Sequence, residues 1–518
     1  MAPGWGVAAM LLTAGPALIA AAALAAQRPT IYFDGDAAKD ELTLINAGRL
    51  ALLVGNHSRF GWSHPGPAWF YSLDVFYGPL GGASWAFVAA NLLINAICMA
   101  LVVAVVWRAR GLVGALLAAG GVLAFVIVIG EQPFRDVWPP YAAIMPMLLF
   151  LFLAAAGGAG SAPALAGALV AGSYSVQLHV GTAPTVAAVV AAVLGLRLAW
   201  HRAKQRTADE GTSRRRWDKP LVLGGLLLLV LMWIPPAIDQ LTGHPGNLTL
   251  LWTFFTADYP KHEYPLAISI LGRLLAPWNW HQFGTLAGAD LSRVSTPYIA
   301  IAIAFIGLVL GLIAAATRTR DRFGQSIGIV VLVTCATVTF SIRSISGPVY
   351  PYLLLWVTCL PLLLATGWIG LIPRVRLGLH GHTTLALAAP VTALTALVAL
   401  AFQILPPLAN AAPDTSTAWA LTSAALSGHA KSPVLVDMYT QDTWVVATGV
   451  ALQLEKEGRS VRVRDNWVFM FGTQARATGS ESTVLVFVDV SDSGMYTAQH
   501  PGAHLVGTTA AHAIFIIT

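Results

Sequence analysis

The sequence has 518 residues, of which 56% are hydrophobic and only 10% charged, and its mean hydropathy is +0.69. Soluble domains carry about a quarter charged residues, so this composition excludes an ordinary soluble protein and makes lipid the main solvent. The net charge of +6 is concentrated in short segments between apolar blocks, which argues against a nucleic-acid partner. The three cysteines lie inside apolar blocks and are expected to be buried thiols rather than disulfides or metal ligands.

Eleven apolar blocks are long enough to cross a bilayer, which takes about 20 residues. They lie near residues 6–26, 85–106, 111–129, 141–158, 163–179, 182–200, 221–237, 298–316, 325–341, 351–371 and 383–405. The first block lacks the basic start of a signal peptide and exceeds the usual length of its apolar core. We therefore predict that it is a retained transmembrane helix.

Basic residues fall in every second connection between these blocks, at residues 108–110, 197–219, 318–322 and 374–376. The positive-inside rule assigns such connections to the cytoplasm. The alanine-rich, lysine-poor composition is typical of a high-GC bacterium. The sequence thus predicts a multi-pass protein of the bacterial plasma (inner) membrane with an external C-terminus.

The outward side carries the longest connections of the predicted membrane module, residues 1–405. These are two external loops at about 27–84 and 238–297. Within the second loop, Pro265–Trp278 is largely apolar with flanking tryptophans, which favours a helix lying along the membrane surface.

The tail differs in character from the membrane module. After an expected linker at 406–427, residues 428–518 show β-branched segments at 433–438, 460–464, 483–490 and 513–517 and a helical segment at 442–458. This pattern predicts a small extracytoplasmic α/β domain. The fold class is therefore an α-helical polytopic membrane protein of about 11 transmembrane helices with a small C-terminal α/β domain.

Four carboxylates open the first outer loop: Asp34, Asp36, Asp40 and Glu41. If a helix begins at Asp36, Asp36 and Asp40 share one face at i,i+4 spacing. Such a pair could provide a general base or bind a divalent cation as a cofactor. The alternative is that Asp34 or Asp36 only caps a helix at the membrane surface.

The same loop continues with cations mixed among aromatic side chains. Arg59, His57 and His64 could donate hydrogen bonds to a phosphate, and Trp62 could stack on a sugar ring. Contact with lipid headgroups is the alternative interpretation. The two histidines could also bind a metal, but the sequence offers them no clear third ligand.

Other outer segments contribute single candidates. Asp136 or Glu131 could complete an acidic site, or Asp136 could form a surface pair with Arg135. Asp239 and His244 are lesser candidates for contact with a substrate. Arg343 lies at the outer end of a predicted helix, where it could bind the phosphate or extend toward the headgroup region.

An acidic motif directly after the first helix, on about eleven helices with an external tail, resembles the GT-C superfamily of glycosyltransferases. The nearest likeness is to the protein mannosyltransferase and aminoarabinose transferase branch and its actinobacterial relatives. The stretch Gly35-Asp36-Ala-Ala-Lys-Asp-Glu41-Leu matches the family's acidic motif at Asp36 and more loosely at Glu41. Residues 58–67 are also similar to a stretch of such proteins. The likeness covers roughly residues 1–240.

The resemblance implies an enzyme that uses a polyprenyl-phosphate sugar as donor. It implies Asp36 as the catalytic base, with Asp40 and Glu41 as further candidates, and a glycan, lipid or protein of the cell envelope as acceptor. Arabinofuranose and mannose are the sugars it favours. A transporter or flippase of lipid-linked sugars and a non-catalytic partner in cell-wall assembly are the alternatives.

Overall fold

The computed structural model describes residues 4–206, 218–285, 288–372, 381–404, 412–429 and 431–518. The basic residues predicted at 207–217 and 374–376, and residues 405–411 at the end of the membrane module and the start of the expected linker, lie outside these ranges. The chain is an integral membrane protein with a helical module and a separate C-terminal sheet domain.

The helices of the membrane module are, in chain order, α1 (Gly4–Gln27), α2 (Gly35–Gly48), α3 (Ala68–Tyr77), α4 (Ser84–Ile129), α5 (Gln132–Arg135), α6 (Pro139–Ala142), α7 (Ile144–Gly158), α8 (Ala162–Leu178), α9 (Ala183–Arg206), α10 (Asp218–Thr242), α11 (Asn247–Thr256), α12 (Tyr264–Leu275), α13 (Trp280–Thr285), α14 (Thr296–Arg318), α15 (Arg322–Arg343), α16 (Leu360–Ile369) and α17 (Gly381–Ile404). Each of the eleven predicted spans coincides with helical residues. By length and composition, seven of the described helical runs can cross a membrane: α1, α4, α6–α7, α9, α10, α14 and α15. Shorter apolar helices accompany them, including α12, α16 and part of α17.

Helix α4 contains two of the predicted spans in one run of 46 residues. At 1.5 Å per residue it measures about 70 Å, roughly twice the hydrocarbon thickness. Gly111 divides it, with φ of 71°, a backbone conformation that side chains rarely tolerate. The predicted break between residues 106 and 111 is therefore confirmed.

The three cysteines are free and buried, as expected. The predicted surface helix is also present as α12, which buries Ala267, Ile270 and Leu274 and leaves Tyr264 exposed. Its position at the lipid surface remains a prediction.

The C-terminal domain has the predicted strand and helix segments. Its elements are α18 (Pro413–Leu426), β1 (Val434–Met438), α19 (Trp444–Lys456), β2 (Val461–Arg462), α20 (Val468–Phe471), β3 (Thr483–Asp489), α21 (Ser493–Gln499), β4 (His504–Thr508) and β5 (His512–Ile517). The sheet order is β2-β1-β3-β5-β4. Strands β1, β2 and β3 are parallel, and β5 is antiparallel to both β3 and β4.

Two features of this domain differ from the sequence prediction. Strand β4 was not predicted, because it is an edge strand with mostly exposed or half-buried residues and lacks an apolar alternation. Part of the segment expected as a linker forms α18, which packs against α19 and β4. The packed domain thus begins before residue 428.

Helix α19 docks the sheet domain on α2, the helix that carries the acidic motif. The approach is close. A Cβ atom on Gly449 would lie 2.6 Å from the carbonyl oxygen of Phe33, and one on Gly35 would lie 3.4 Å from the Trp444 ring. On its other sides α2 meets the membrane module, including α3. The acidic helix is therefore enclosed between the two parts of the protein.

Candidate active site

The acidic site begins where α1 ends and the chain turns into α2. Asp34 occupies the N-cap position, but its side chain makes no capping hydrogen bond, which does not support capping as the reason for this residue. The helix starts at Gly35, so Asp36 and Asp40 share a face as the sequence predicted. Lys39, at i+3 from Asp36, lies on the same face.

Lys39 and Asp40 form a buried ion pair at the centre of the site. The ammonium lies 3.3 Å from Asp40 Oδ1, and the side chains are 3% and 0% exposed. Oδ2 of Asp40 has no hydrogen-bond partner among the described residues. Burial raises the pKa of Asp40 to about 7, against the opposing effect of Lys39. Burial also lowers the pKa of Lys39, while the nearby Asp40 and Asp36 carboxylates oppose that change.

Asp36 and Asp136 complete an acidic cluster with Asp40. Both side chains are half-buried. Burial raises the pKa of Asp36, although Lys39 and a hydrogen bond from the Trp138 side chain lower it. Burial likewise raises the pKa of Asp136 to about 6, even though its Oδ1 accepts a 2.9 Å bond from the Trp138 backbone N–H. Asp36 and Asp136 also repel each other's charge, so the cluster titrates as a coupled set.

Glu41, the third acid of the motif, has a different environment. Its Oε1 lies 2.5 Å from the Lys456 ammonium of the sheet domain and 2.9 Å from the Tyr77 hydroxyl. Its Oε2 accepts a 2.7 Å bond from Ser84 Oγ, which in turn accepts one from Lys456. The side chain is fully buried. Glu41 thus joins α2 to α4 and to the sheet domain through partners that occupy both of its oxygens.

The two loop histidines are held as neutral imidazoles. Burial lowers the pKa of both His57 and His64 well below the usual value, and the nearby Lys39 lowers each further. Nδ1 of His64 accepts a 3.1 Å bond from the Val180 N–H, and its ring packs on His179. These contacts join the first outer loop to the junction between α8 and α9, and the lowered pKa leaves His64 uncharged at neutral pH.

Trp62 also packs inward, so it offers little surface for a sugar. It is 9% exposed, and its ring contacts Phe254, Phe255 and His64.

Aromatic residues lie next to the acidic cluster, and an exposed arginine lies near one of them. Tyr352 lies within electrostatic range of both Asp36 and Arg59. Its ring packs on Trp138 with centroids 4.8 Å apart. Arg59 is exposed and lies over the Phe60 ring. Tyr352 thus lies between the acidic cluster and the exposed guanidinium of Arg59, and Trp138 and Tyr352 bring aromatic rings to Asp36.

The remaining candidates contact other parts of the outer loops. Asp239 Oδ2 accepts a 2.7 Å bond from the Asn247 N–H, and this turn holds the first loop through Ser63. His244 is exposed. The contacts of Arg343 in the described structure are with the second outer loop: its guanidinium lies 3.7 Å from the Tyr264 ring centroid, and its Nε donates to the His262 carbonyl.

The described residues around the acidic cluster offer no clear set of ligands for a metal ion. Among the described residues, no group of three or more His, Cys, Asp and Glu side chains is arranged to hold an ion. The Lys39 ammonium already supplies a positive charge among the carboxylates.

Sequence reasoning missed three residues of the site: Lys39, Lys456 and Tyr352. Only Lys39 left a signal, because Asp-x-x-Lys-Asp at the start of a helix puts the lysine on the acidic face. Lys456 and Tyr352 come from distant segments and follow no local pattern.

Comparisons with known proteins bear on the fold. No family model matches the sequence, and no curated protein matches it. The fold is similar to that of ArnT. The crystal structure of ArnT from Cupriavidus metallidurans bound to undecaprenyl phosphate aligns with a TM-score of 0.57 at 13% identity, over 100% of this chain and 98% of ArnT. The apo form of the same protein aligns with a TM-score of 0.55 at 12% identity, over 99% and 98% of the two chains.

At this level of identity the likeness to ArnT establishes the fold and leaves the chemistry open. The expected α-helical membrane module with a small C-terminal α/β domain is confirmed, and its fold is similar to that of ArnT.

The contact between Glu41 and Lys456 predicts a specific stability loss. Lys456→Met leaves a fully buried carboxylate without its cation, which should reduce the free energy of unfolding by on the order of 3 kcal/mol. Arg49→Met is the matched control. It breaks the exposed pair between Arg49, the residue after α2, and Glu455 of α19, which should cost about 1 kcal/mol or less. Thermal unfolding of the purified variants checks this, and equal losses for both would contradict the role of Lys456.

The raised pKa of Asp40 predicts a pH-dependent stability. Between pH 4 and 7 the folded protein binds more protons at this site than the unfolded chain, so the contribution of Asp40 to stability falls as pH rises. Asp40→Asn removes this pH-dependent contribution to stability. The melting temperature of the variant minus that of wild type should therefore rise by about 2 °C or more between pH 5 and pH 8. Asp465→Asn, at an exposed position, is the control for the loss of one carboxylate. If the difference in melting temperature between Asp40→Asn and wild type does not change with pH, the pKa of Asp40 is not raised.

Proposed function

We propose that the chain is a membrane glycosyltransferase that moves a sugar from a polyprenyl phosphate to a hydroxyl group of a cell-envelope acceptor on the outer face of the membrane. The observation that carries the proposal is the half-buried Asp36, with its raised pKa, beside the buried Lys39. This cluster lies at the end of the first helix, in a chain whose fold is similar to that of ArnT. One of the ArnT structures has undecaprenyl phosphate bound.

Accessibility selects Asp36 as the catalytic base. Asp40 and Glu41 are fully buried, so an acceptor hydroxyl cannot reach them. Asp36 keeps some exposure, and a carboxyl with a raised pKa is a better proton acceptor near neutral pH than an ordinary one. Asp40 holds the Lys39 side chain in position, and the protonation of Asp136 is coupled to that of Asp36.

The reaction needs a base and a cation but no acid at the leaving group. The acceptor oxygen attacks the anomeric carbon while its proton passes to Asp36. The bond between that carbon and the phosphate oxygen breaks, and the phosphate leaves with the electron pair as an anion. Lys39 is buried among the carboxylates of the cluster, and Arg59 is exposed near Tyr352, so we propose that both stabilise the phosphate charge. The electrostatic attraction between the Lys39 ammonium and the phosphate is strong because little water screens the ammonium.

The other candidates take supporting positions in this proposal. Trp138 and Tyr352 provide aromatic faces for the sugar. His57, His64, Trp62 and Asp239 shape the outer loops around the site. Arg343 and His244 remain candidates for contact with donor or acceptor farther out. Arabinofuranose and mannose are the donor sugars we propose to test first, with glycan, lipid and protein acceptors.

Transfer by the purified full-length protein in lipid nanodiscs tests the proposal. It would be offered decaprenyl-phospho-arabinose or decaprenyl-phospho-mannose with short glycan acceptors. Wild type should transfer sugar, and Asp36→Asn should reduce the rate about 100-fold or more because no base takes the proton. Asp34→Asn changes a carboxylate two residues away and should transfer normally.

Two outcomes would redirect the proposal. Full transfer by Asp36→Asn would show that Asp36 is not the base. Movement of the donor lipid across proteoliposome membranes with no transfer to any acceptor would favour a flippase.

A further inference from the structure

A large groove lies between the membrane helices, away from the acidic cluster. Its volume is about 1150 Å³, and residues of α1, α3, α4, α7, α8, α10 and the start of α15 line it. Several lining side chains are partly exposed, among them Ile97, Leu101, Leu221 and Leu228 at 43–54%. Because these residues belong to membrane-crossing helices, the groove opens sideways into the lipid.

One end of the groove is basic. Arg108, Arg110, Arg322 and Asp321 all line it, which leaves an excess of two positive charges. Arg110 holds Asp321 through two hydrogen bonds of 2.9 and 2.6 Å. Arg108 and Arg322 are exposed, and Arg322 lies over the Trp200 ring. Two guanidinium groups that no described carboxylate neutralises therefore border an apolar space.

Two helix N-termini meet at the same end. Ser161 caps α8 through the Ala164 N–H, and Asp321 caps α15 through the Gly324 N–H. The first turns of both helices line the groove. The partial positive charge at the N-terminus of α8 favours a phosphate there, whereas at α15 the Asp321 carboxylate already occupies the N-terminus.

The basic end lies across the membrane from the acidic cluster. The first half of α4 starts at Ser84, which bonds to Glu41, and reaches Arg110 after 26 residues, about 40 Å along the helix axis. A donor phosphate that reacts beside Asp36 cannot also lie at this end. The positive-inside pattern predicts that the basic end faces the cytoplasm.

We propose that this groove binds an anionic phospholipid of the inner leaflet. Its phosphate lies between Arg108 and Arg322 near the N-terminus of α8, and its acyl chains occupy the apolar length of the groove. Basic pockets between transmembrane helices on the cytoplasmic side recognise anionic headgroups in this way. The site is independent of the proposed transferase reaction.

Lipid titration of the delipidated full-length protein, followed by native mass spectrometry, tests the site. The probes are dioleoylphosphatidylglycerol, dioleoylphosphatidylcholine and decaprenyl phosphate. Wild type should bind phosphatidylglycerol about tenfold more tightly than phosphatidylcholine, and Arg108→Gln with Arg322→Gln should remove this preference. Arg318→Gln with Arg320→Gln removes the same charge from exposed neighbours outside the groove and should keep it.

A second variant keeps all the charges. Ile97→Trp narrows the apolar part and should weaken phosphatidylglycerol binding several-fold, which separates a groove from a charged surface. The proposal would be overturned if the two double variants lost the preference for phosphatidylglycerol equally, or if wild type had no such preference. It would also be overturned if Ile97→Trp had no effect on phosphatidylglycerol binding. Displacement of bound phosphatidylglycerol by decaprenyl phosphate would also overturn it, by assigning the groove to a polyprenyl lipid.

Discussion

Three consecutive charged residues, Lys39, Asp40 and Glu41, are almost completely buried on α2, and the rest of the site depends on how their charges are balanced. Buried charges are costly unless they are paired and hydrogen-bonded. Lys39 pairs with Asp40 within the helix, whereas Glu41 needs Lys456 from the sheet domain and Ser84 from α4. The sheet domain is therefore part of what holds the acidic helix in place, and not only a cover over the membrane module.

This enclosure separates the roles of the acids in one short motif. Burial decides which carboxyl group a substrate could reach. Of Asp36, Asp40 and Glu41, only Asp36 is partly exposed. The same burial raises the pKa of Asp36, Asp40 and Asp136 and leaves the neighbouring histidines neutral. In the proposed reaction, the positive charge offered to the leaving phosphate therefore comes from Lys39 and Arg59 rather than from an imidazole.

The sequence predicted the features that depend on local pattern. Hydropathy located the spans, the basic connection with Arg108 and Arg110 separated two of them, and helical spacing put Asp36 and Asp40 on one face. The sequence could not predict contacts between distant segments: Ser84 and Lys456, which share a hydrogen bond, are 372 positions apart. It also could not show that Trp62 and His64 pack inward, because an aromatic-rich loop looks the same whether it binds sugar or fills its own core. Strand β4 was missed because an exposed edge strand carries little apolar signal.

The central claim is that the buried Lys39 prepares this site for a lipid phosphate. Equilibrium binding of decaprenyl phosphate, compared with decaprenol as the same lipid without its phosphate, tests it most directly in wild type and in Lys39→Met. The account predicts that wild type prefers the phosphate at least tenfold, and that Lys39→Met loses most of that preference while it binds decaprenol as wild type does. An unchanged preference in a folded Lys39→Met protein would contradict the account.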